Sequence, residues 1–292
     1  MSAGAIACAS TIAIMLPPSL LLIIYGLQTE TSISKLFIAG IVPGILMAVI
    51  FSAYNIIRCS LNPELGPRGP RFSWRERFLS LGKLSPVVII FGVVIGGLYN
   101  GFFTPGESAA VCAFAVLVYS VATRRVKVRD IIDAAYDAVS LSAMVFAILI
   151  AMTVFSRVLI ATRVTSDLVD VISSAGLNMY VVLALFVLLL LVLAMFLDAL
   201  GMLLLTLPFM FPVIVGLGFD PIWFGIIIVL MSEVGLITPP VGMNIFILSK
   251  SLPDVPTLEM FRGAWPYVAL CLGLVVLFTV FPQLVLWLPN SM

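Results

Sequence analysis

The chain contains no histidine. Haem held by imidazole, zinc hydrolases of the HExxH type and Ser/His intramembrane proteases all need that side chain, so each is excluded at once. Charge is nearly as scarce. Only 10% of the 292 residues are Asp, Glu, Lys or Arg, against about 25% in a soluble domain. A net charge of +1 leaves no basic surface for nucleic acid. Cys8, Cys59, Cys112 and Cys271 are scattered without metal or redox spacing and read as small, reduced packing residues. Short strands that alternate apolar and polar residues, as a membrane barrel requires, are not found. The opening MSAGAIACAS has no positive n-region and runs directly into apolar sequence, so it does not read as a signal peptide. An aspartyl intramembrane protease would need only carboxylates, but GLGFD at 216–220 has the wrong spacing for a GxGD motif and reads as a turn.

What remains is apolar. Hydrophobic residues make up 62% of the chain and the mean hydropathy is +1.25. Apolar segments fall at 3–27, 34–57, 85–103, 106–123, 138–160, 179–197, 202–217, 222–250 and 262–288. Many approach or exceed the roughly 20 residues that cross a bilayer as a helix. The fold class is therefore an all-α polytopic membrane protein. Basic residues gather at Arg58, Arg68, Arg71, Arg75, Arg77 and Lys83, and again at Arg124, Arg125, Lys127 and Arg129. Both loops are expected to face the cytoplasm. The two helices between them then go out and back, turning near Phe103 to Gly106.

Three segments depart from simple spans. VTSDLVDVISSA (164–175) alternates apolar and acidic residues at helical spacing. It fits a helix lying along the interface, or an ordinary connector outside the membrane. Residues 179–215 hold two apolar runs separated only by LDALG (197–201), too short and too greasy to turn in water. A re-entrant helical hairpin with Asp198, Ala199 and Gly201 at its tip explains this, tolerated only where the tip is buried or lines a wet cavity. The alternative is one long helix kinked at Pro208. Residues 222–250 are too long for one straight span of about 30 Å at 1.5 Å per residue, and carry Pro239 and Pro240 near their middle.

That last segment has a counterpart. STIAIMLPPSLLLI (10–23) lies in register with SEVGLITPPVGMNI (232–245), matching Ser10 to Ser232, Pro17 to Pro239 and Pro18 to Pro240. Paired interruptions in two halves point to the binding site of a transporter built from inverted repeats. A proline inside a helix cannot donate to the carbonyl four residues earlier. The pairs would thus free the carbonyls of Gly235 and Leu236, and of Ala13 and Ile14. In lipid each would cost several kcal/mol unsatisfied. A dehydrated cation could take them, with Thr238 and Asn244 adding side-chain oxygens and Gly235 and Gly242 letting the backbone turn. Oxygen ligands alone suit a hard ion such as Na⁺. The plainer reading is a pair of proline kinks whose carbonyls meet water or a hydroxyl.

At these residues the sequence resembles the large, DctM-type membrane subunit of TRAP transporters, the tripartite ATP-independent periplasmic transporters. PPSLLLIIYG (17–26) with TSISKLFIAGIVPGIL (31–46), GFFTPGESAAV (101–111), FLDALGMLLLTLPFMFPV (196–213) and GLITPPVGMNIF (235–246) each resemble a stretch of that family. The resemblance covers essentially the whole chain and implies an elevator-type secondary transporter with inverted repeats. It implies uptake of an organic acid, such as a C4-dicarboxylate, driven by Na⁺ across the bacterial inner membrane, with no cofactor and no enzyme activity. It also implies two partners, a small four-helix membrane subunit (DctQ type) and a periplasmic binding protein (DctP type). Carried onto this chain, one Na⁺ site draws on Asp198 to Gly201 and on Gly235 to Asn244, including Pro239 and Pro240. The other draws on Ala13 to Ser19, including Pro17 and Pro18, together with a first hairpin that is missing from this sequence. The first repeat is thus expected to be incomplete, as in a fragment, a split gene, a mis-called start or a degenerate copy. Met231 departs from the family pattern, where many relatives carry Asn.

The expected organisation is residues 1–57 as the remainder of repeat one, 58–83 as a cytoplasmic linker and 84–292 as repeat two. Acids in apolar segments are functional hypotheses by default. Glu107 follows Pro105 at a helix start and reads chiefly as a cap. Asp198 would cap the returning helix of the hairpin or place charge near an ion. Glu233, six residues before the break, is read as packing or as support to the site from a distance. The competing functions are a partial permease that carries nothing, or a non-transporting subunit of an ion-pumping complex.

Overall fold

A computed structural model describes residues 2–66, 73–164, 166, 167, 170, 174 and 176–291. Among these every regular element is helical. The helices are α1 (Ser2–Ala9), α2 (Ile12–Met15), α3 (Leu20–Thr29), α4 (Ile33–Leu61), α5 (Trp74–Tyr99), α6 (Pro105–Ala122), α7 (Val128–Ala161), α8 (Met179–Ala194), α9 (Ala199–Gly216), α10 (Pro221–Ile237), α11 (Met243–Ser251), α12 (Thr257–Val280) and α13 (Gln283–Leu286), with 3₁₀ turns at Pro63–Leu65 and Pro289–Ser291. Five of them, α4, α6, α7, α9 and α12, are long and apolar enough to cross a bilayer. This is a multi-pass membrane protein. Most of the segment 164–175 lies outside the described residues.

Helix ends follow the local chemistry. The first amides of a helix have no internal partner, and a side-chain oxygen just before the helix supplies one. Ser73 and Glu76 form a reciprocal capping box at the start of α5, and Thr104 and Glu107 form another at α6. Asn178, Asp198 and Asp220 cap α8, α9 and α10. GLGFD is indeed a turn, with Gly218 at φ +88° and Asp220 receiving the amides of Ile222 and Trp223. Both ends of the segment read as the linker 58–83 are helical. Helix α4 continues to Leu61 and the capping box starts α5 at Trp74, which leaves 62–73 between helices.

The chain divides into two groups of contacts, Met1–Gly66 with Ile148–Met292, and Pro67–Ala147. In the smaller group α5 packs on α6. In the larger, α10 is the central rod. Every residue from Trp223 to Ile237 is buried except Leu236. Around it stand α2, α3, α4, α8, α9, α11 and α12. Its first turn is tied on both sides. The Tyr25 hydroxyl donates to the Pro221 carbonyl at 2.6 Å, and the Trp223 indole N–H donates to the Phe278 carbonyl at 2.8 Å.

The segment 179–215 is a hairpin. The chain breaks at 195–198, and the Tyr180 ring meets Phe219 edge-on at 6.1 Å. That contact brings the beginning of α8 beside the end of α9, so the two helices run in opposite directions. Pro208 and Pro212 sit inside an unbroken α9, and the single helix kinked at Pro208 is not formed. At 1.5 Å per residue the 16-residue α8 rises about 24 Å, short of the roughly 30 Å hydrocarbon core.

Candidate functional site

Both proline pairs end a helix. Helix α2 stops at Met15, with Leu16 extended at ψ 135°, and α10 stops at Ile237, with Thr238 extended at ψ 136°. The ring of a following proline excludes the helical conformation at each of these residues, which fixes both boundaries. The bonds Pro17–Pro18 and Pro239–Pro240 are cis. Ser19 then caps α3, accepting from the Leu22 amide at 3.5 Å. On the other side Gly242 adopts φ +51°, ψ 59° before α11 begins. Few residues other than glycine take that left-handed conformation at no cost.

The carbonyls around the second break do not stand as simply as the proline rule implies. The Thr238 amide donates to the Gly235 carbonyl at 3.3 Å, and the Thr238 hydroxyl donates to the Val234 carbonyl at 2.5 Å. Gly235 is therefore not left open. The last turn tightens to an i to i+3 bond, one of the ways a helix end meets its own carbonyls. Leu236 has Pro240 four residues on, as Ala13 has Pro17 and Ile14 has Pro18, so no amide stands at that position for any of the three. Thr238 is buried, with its hydroxyl oxygen still able to offer a lone pair after donating its proton.

Two contacts bring other elements to this break. A Cβ at Gly235 would lie 2.3 Å from the Ala194 carbonyl oxygen and 2.6 Å from the Ala194 Cβ. The end of α8, just before the hairpin tip, therefore rests directly on α10. The side-chain amide of Asn244 donates to the Ser10 hydroxyl at 3.0 Å and to the Ala7 carbonyl at 3.4 Å. Ser10 in turn donates to Ala7 at 2.7 Å. Asn244 thus links the second break to the helix that leads into the first, and its amide oxygen is the atom left for a ligand. Thr11 beside it is buried, donating to the Cys8 carbonyl at 2.8 Å.

At the tip itself, Asp198 accepts the amides of Leu200 at 3.2 Å and Gly201 at 3.3 Å. It caps α9, which begins at Ala199, and its carboxylate is solvent-exposed. Glu107 accepts the Thr104 amide and hydroxyl, both at 2.8 Å, within the Pro67–Ala147 group. Glu233 is fully buried in α10, the only Asp, Glu, Lys or Arg in the interior among the described residues. Its carboxyl oxygens accept no hydrogen bond among those residues.

The structure therefore gathers Gly235, Leu236, Thr238, Pro239, Pro240, Gly242 and Asn244 at one break. Ala13, Ile14, Pro17, Pro18 and Ser19 form a second break, whose helix α2 packs on α10. Ala7, Ser10 and Ala194 are partners that sequence reasoning did not assign. The matched serine of the repeat, Ser10, was the available signal for one of them. Among the described residues no three His, Cys, Asp or Glu side chains come together as a metal site. The oxygens at the breaks are carbonyl, hydroxyl and amide, the set a hard monovalent cation accepts.

Comparison with known proteins places the chain in a family. Residues 1–284 match the family described as Tripartite ATP-independent periplasmic transporter, DctM component. The chain is 33% identical to the C4-dicarboxylate TRAP transporter large permease protein DctM of Pseudomonas aeruginosa, over 99% of this chain and 67% of that protein. It is 36% identical to the ectoine/5-hydroxyectoine TRAP transporter large permease protein UehC of Ruegeria pomeroyi, over 96% of this chain and 65% of that protein. To the sialic acid TRAP transporter large permease protein SiaM of Vibrio cholerae it is 34% identical, over 98% and 67% respectively. The chain spans about two thirds of the length of these relatives. It belongs to the DctM component family of the tripartite ATP-independent periplasmic transporters, a family of transport proteins and not of enzymes.

Proposed function

We propose that the chain forms the cation- and substrate-handling core of a large permease subunit in the bacterial inner membrane. It couples Na⁺ entry to uptake of an organic acid through an elevator movement. The observation that carries this reading is the pair of matched helix breaks, joined from Asn244 to Ser10 inside an otherwise apolar bundle. Discontinuous helices at matched positions of two repeats place their freed backbone and half-helix ends at a shared site. The coordinating atoms we assign are the carbonyls of Leu236, Ala13 and Ile14, the Thr238 hydroxyl oxygen and the Asn244 amide oxygen. Asp198 to Gly201, at the hairpin tip, stand nearest the substrate.

The relatives' names include a C4-dicarboxylate, ectoine and sialic acid carrier. All three ligands bear a carboxylate, and this is the substrate class we assign here. A small membrane subunit of the DctQ type and a periplasmic binding protein of the DctP type complete the system. The test is uptake of labelled carboxylates into proteoliposomes holding this chain with both partners, at varied external Na⁺. Thr238→Ala or Asn244→Ala should raise the half-saturating Na⁺ concentration about tenfold, equivalent to about 1.4 kcal/mol. An unchanged sodium dependence in both variants overturns the assignment of the site.

A further inference from the structure

A polar cleft lies at the C-terminal end of α4, where α4 meets the first turns of α12. Its volume is about 320 Å³, and it is lined by Tyr54, Arg58, Leu65, Glu259, Arg262 and Pro266. Arg58 sits in the last turn of α4, where a cation also meets the negative end of the helix dipole. Arg262 is presented by the second turn of α12, and Glu259 stands one turn before it. Two guanidinium groups and one carboxylate therefore rim one cleft, drawn from two helices.

The flanks of the cleft are apolar and turned outward. Ile57 and Leu61 on α4, and Leu258 and Trp265 on α12, are all exposed. Trp265, exposed on α12, adds an aromatic group of the kind that settles at the boundary between acyl chains and water. The chain's first basic cluster, from Arg58 in the last turn of α4 to Arg75 and Arg77 in the first turn of α5, surrounds this end, and by the positive-inside tendency sets it at the cytoplasmic surface.

The geometry points to a binding site for one membrane phospholipid, phosphatidylethanolamine. Its phosphate lies between Arg58 and Arg262, whose planar donors suit phosphate oxygens. Its ammonium meets Glu259, and its acyl chains follow the exposed apolar flank. A purely anionic headgroup would satisfy the arginines but would leave Glu259 beside like charge. Free phosphate would leave both Glu259 and the apolar flank without a partner. The rim matches a headgroup that carries both signs.

The experiment is native mass spectrometry of the full chain in detergent, titrated with phosphatidylethanolamine and phosphatidylglycerol in equal amounts. The wild-type chain is expected to retain phosphatidylethanolamine preferentially. Arg58→Gln with Arg262→Gln should lower its retention roughly tenfold, as the loss of charge-assisted bonds implies. Arg58→Lys with Arg262→Lys should restore part of it. Glu259→Gln should keep lipid binding and lose the preference over phosphatidylglycerol. All of these side chains are at the surface, so the fold does not depend on them. Equal retention of both lipids by the wild type, or unchanged retention by the double glutamine variant, overturns the proposal. So does displacement of the lipid by millimolar inorganic phosphate, which would mark a site for the free anion.

Discussion

Single residues at the breaks act through backbone geometry more than through charge. Gly235 is required because the Ala194 carbonyl occupies the space any Cβ would need. Gly235→Ala should destabilise the chain by about 1–3 kcal/mol, the range for forcing extra atoms into a packed interior. The readout is a fall in the thermal unfolding midpoint in micelles. Asp198 separates two roles that the sequence left joined. If it serves only as the cap of α9, Asp198→Ala costs about 1 kcal/mol and Asp198→Asn, which keeps an acceptor oxygen, costs little. Loss of Na⁺-dependent uptake in the stable asparagine variant would show that the charge itself is used. Asn244 was legible as a candidate ligand, because amides beside a helix break are oxygen donors. That its nitrogen reaches Ser10 was not legible, since 234 positions separate the two residues.

Elements were largely readable because apolar length, proline and capping residues act locally. Both breaks follow from the proline pairs, and the start of α5 follows from Ser73 and Glu76. The hairpin was ambiguous in sequence, since Pro208 and Pro212 offered a rival kink. The two prolines stay within α9, and the turn falls at 195–198, just ahead of the Asp198 cap. At this scale the position of α10 depends on the two hydrogen bonds at its first turn. Trp223→Phe leaves the buried Phe278 carbonyl without its donor, and should cost about 1–3 kcal/mol. Tyr25→Phe removes the partner bond to Pro221 and should add a smaller loss. Thermal unfolding of the single and double variants measures both, and a double variant as stable as the wild type would refute the role of these ties.

For the whole molecule, the membrane supplies a constraint that no single element carries. Between lipid-facing helices there is no hydrophobic force beyond that with lipid itself, so packing and interhelical hydrogen bonds hold the bundle. The buried Glu233, the joined breaks and the hairpin resting on Gly235 all belong to that internal packing. The basic loop between α4 and α5 predicts topology directly. Alkaline phosphatase fused after Gly66 should be inactive in cells, whereas green fluorescent protein at the same point should fluoresce. Active phosphatase there would invert the orientation, and would remove the cytoplasmic assignment of the lipid cleft with it.

Composition and local pattern determined by themselves that this chain is helical, that it crosses a membrane repeatedly, and where its helices break. These follow from forces that act within a turn or two: backbone groups must be satisfied in lipid, prolines cannot donate, and capping side chains reach only their own first turn. The tertiary structure alone decided what meets at the breaks. It tightened the end of α10 so that Thr238 closes on Gly235 and Val234. It set Ala194 against Gly235, turned Asn244 toward Ser10, and brought Arg58 and Arg262 to one cleft. Each of these pairs is distant in sequence or depends on close backbone approach, and neither property is encoded in the pattern of any one segment.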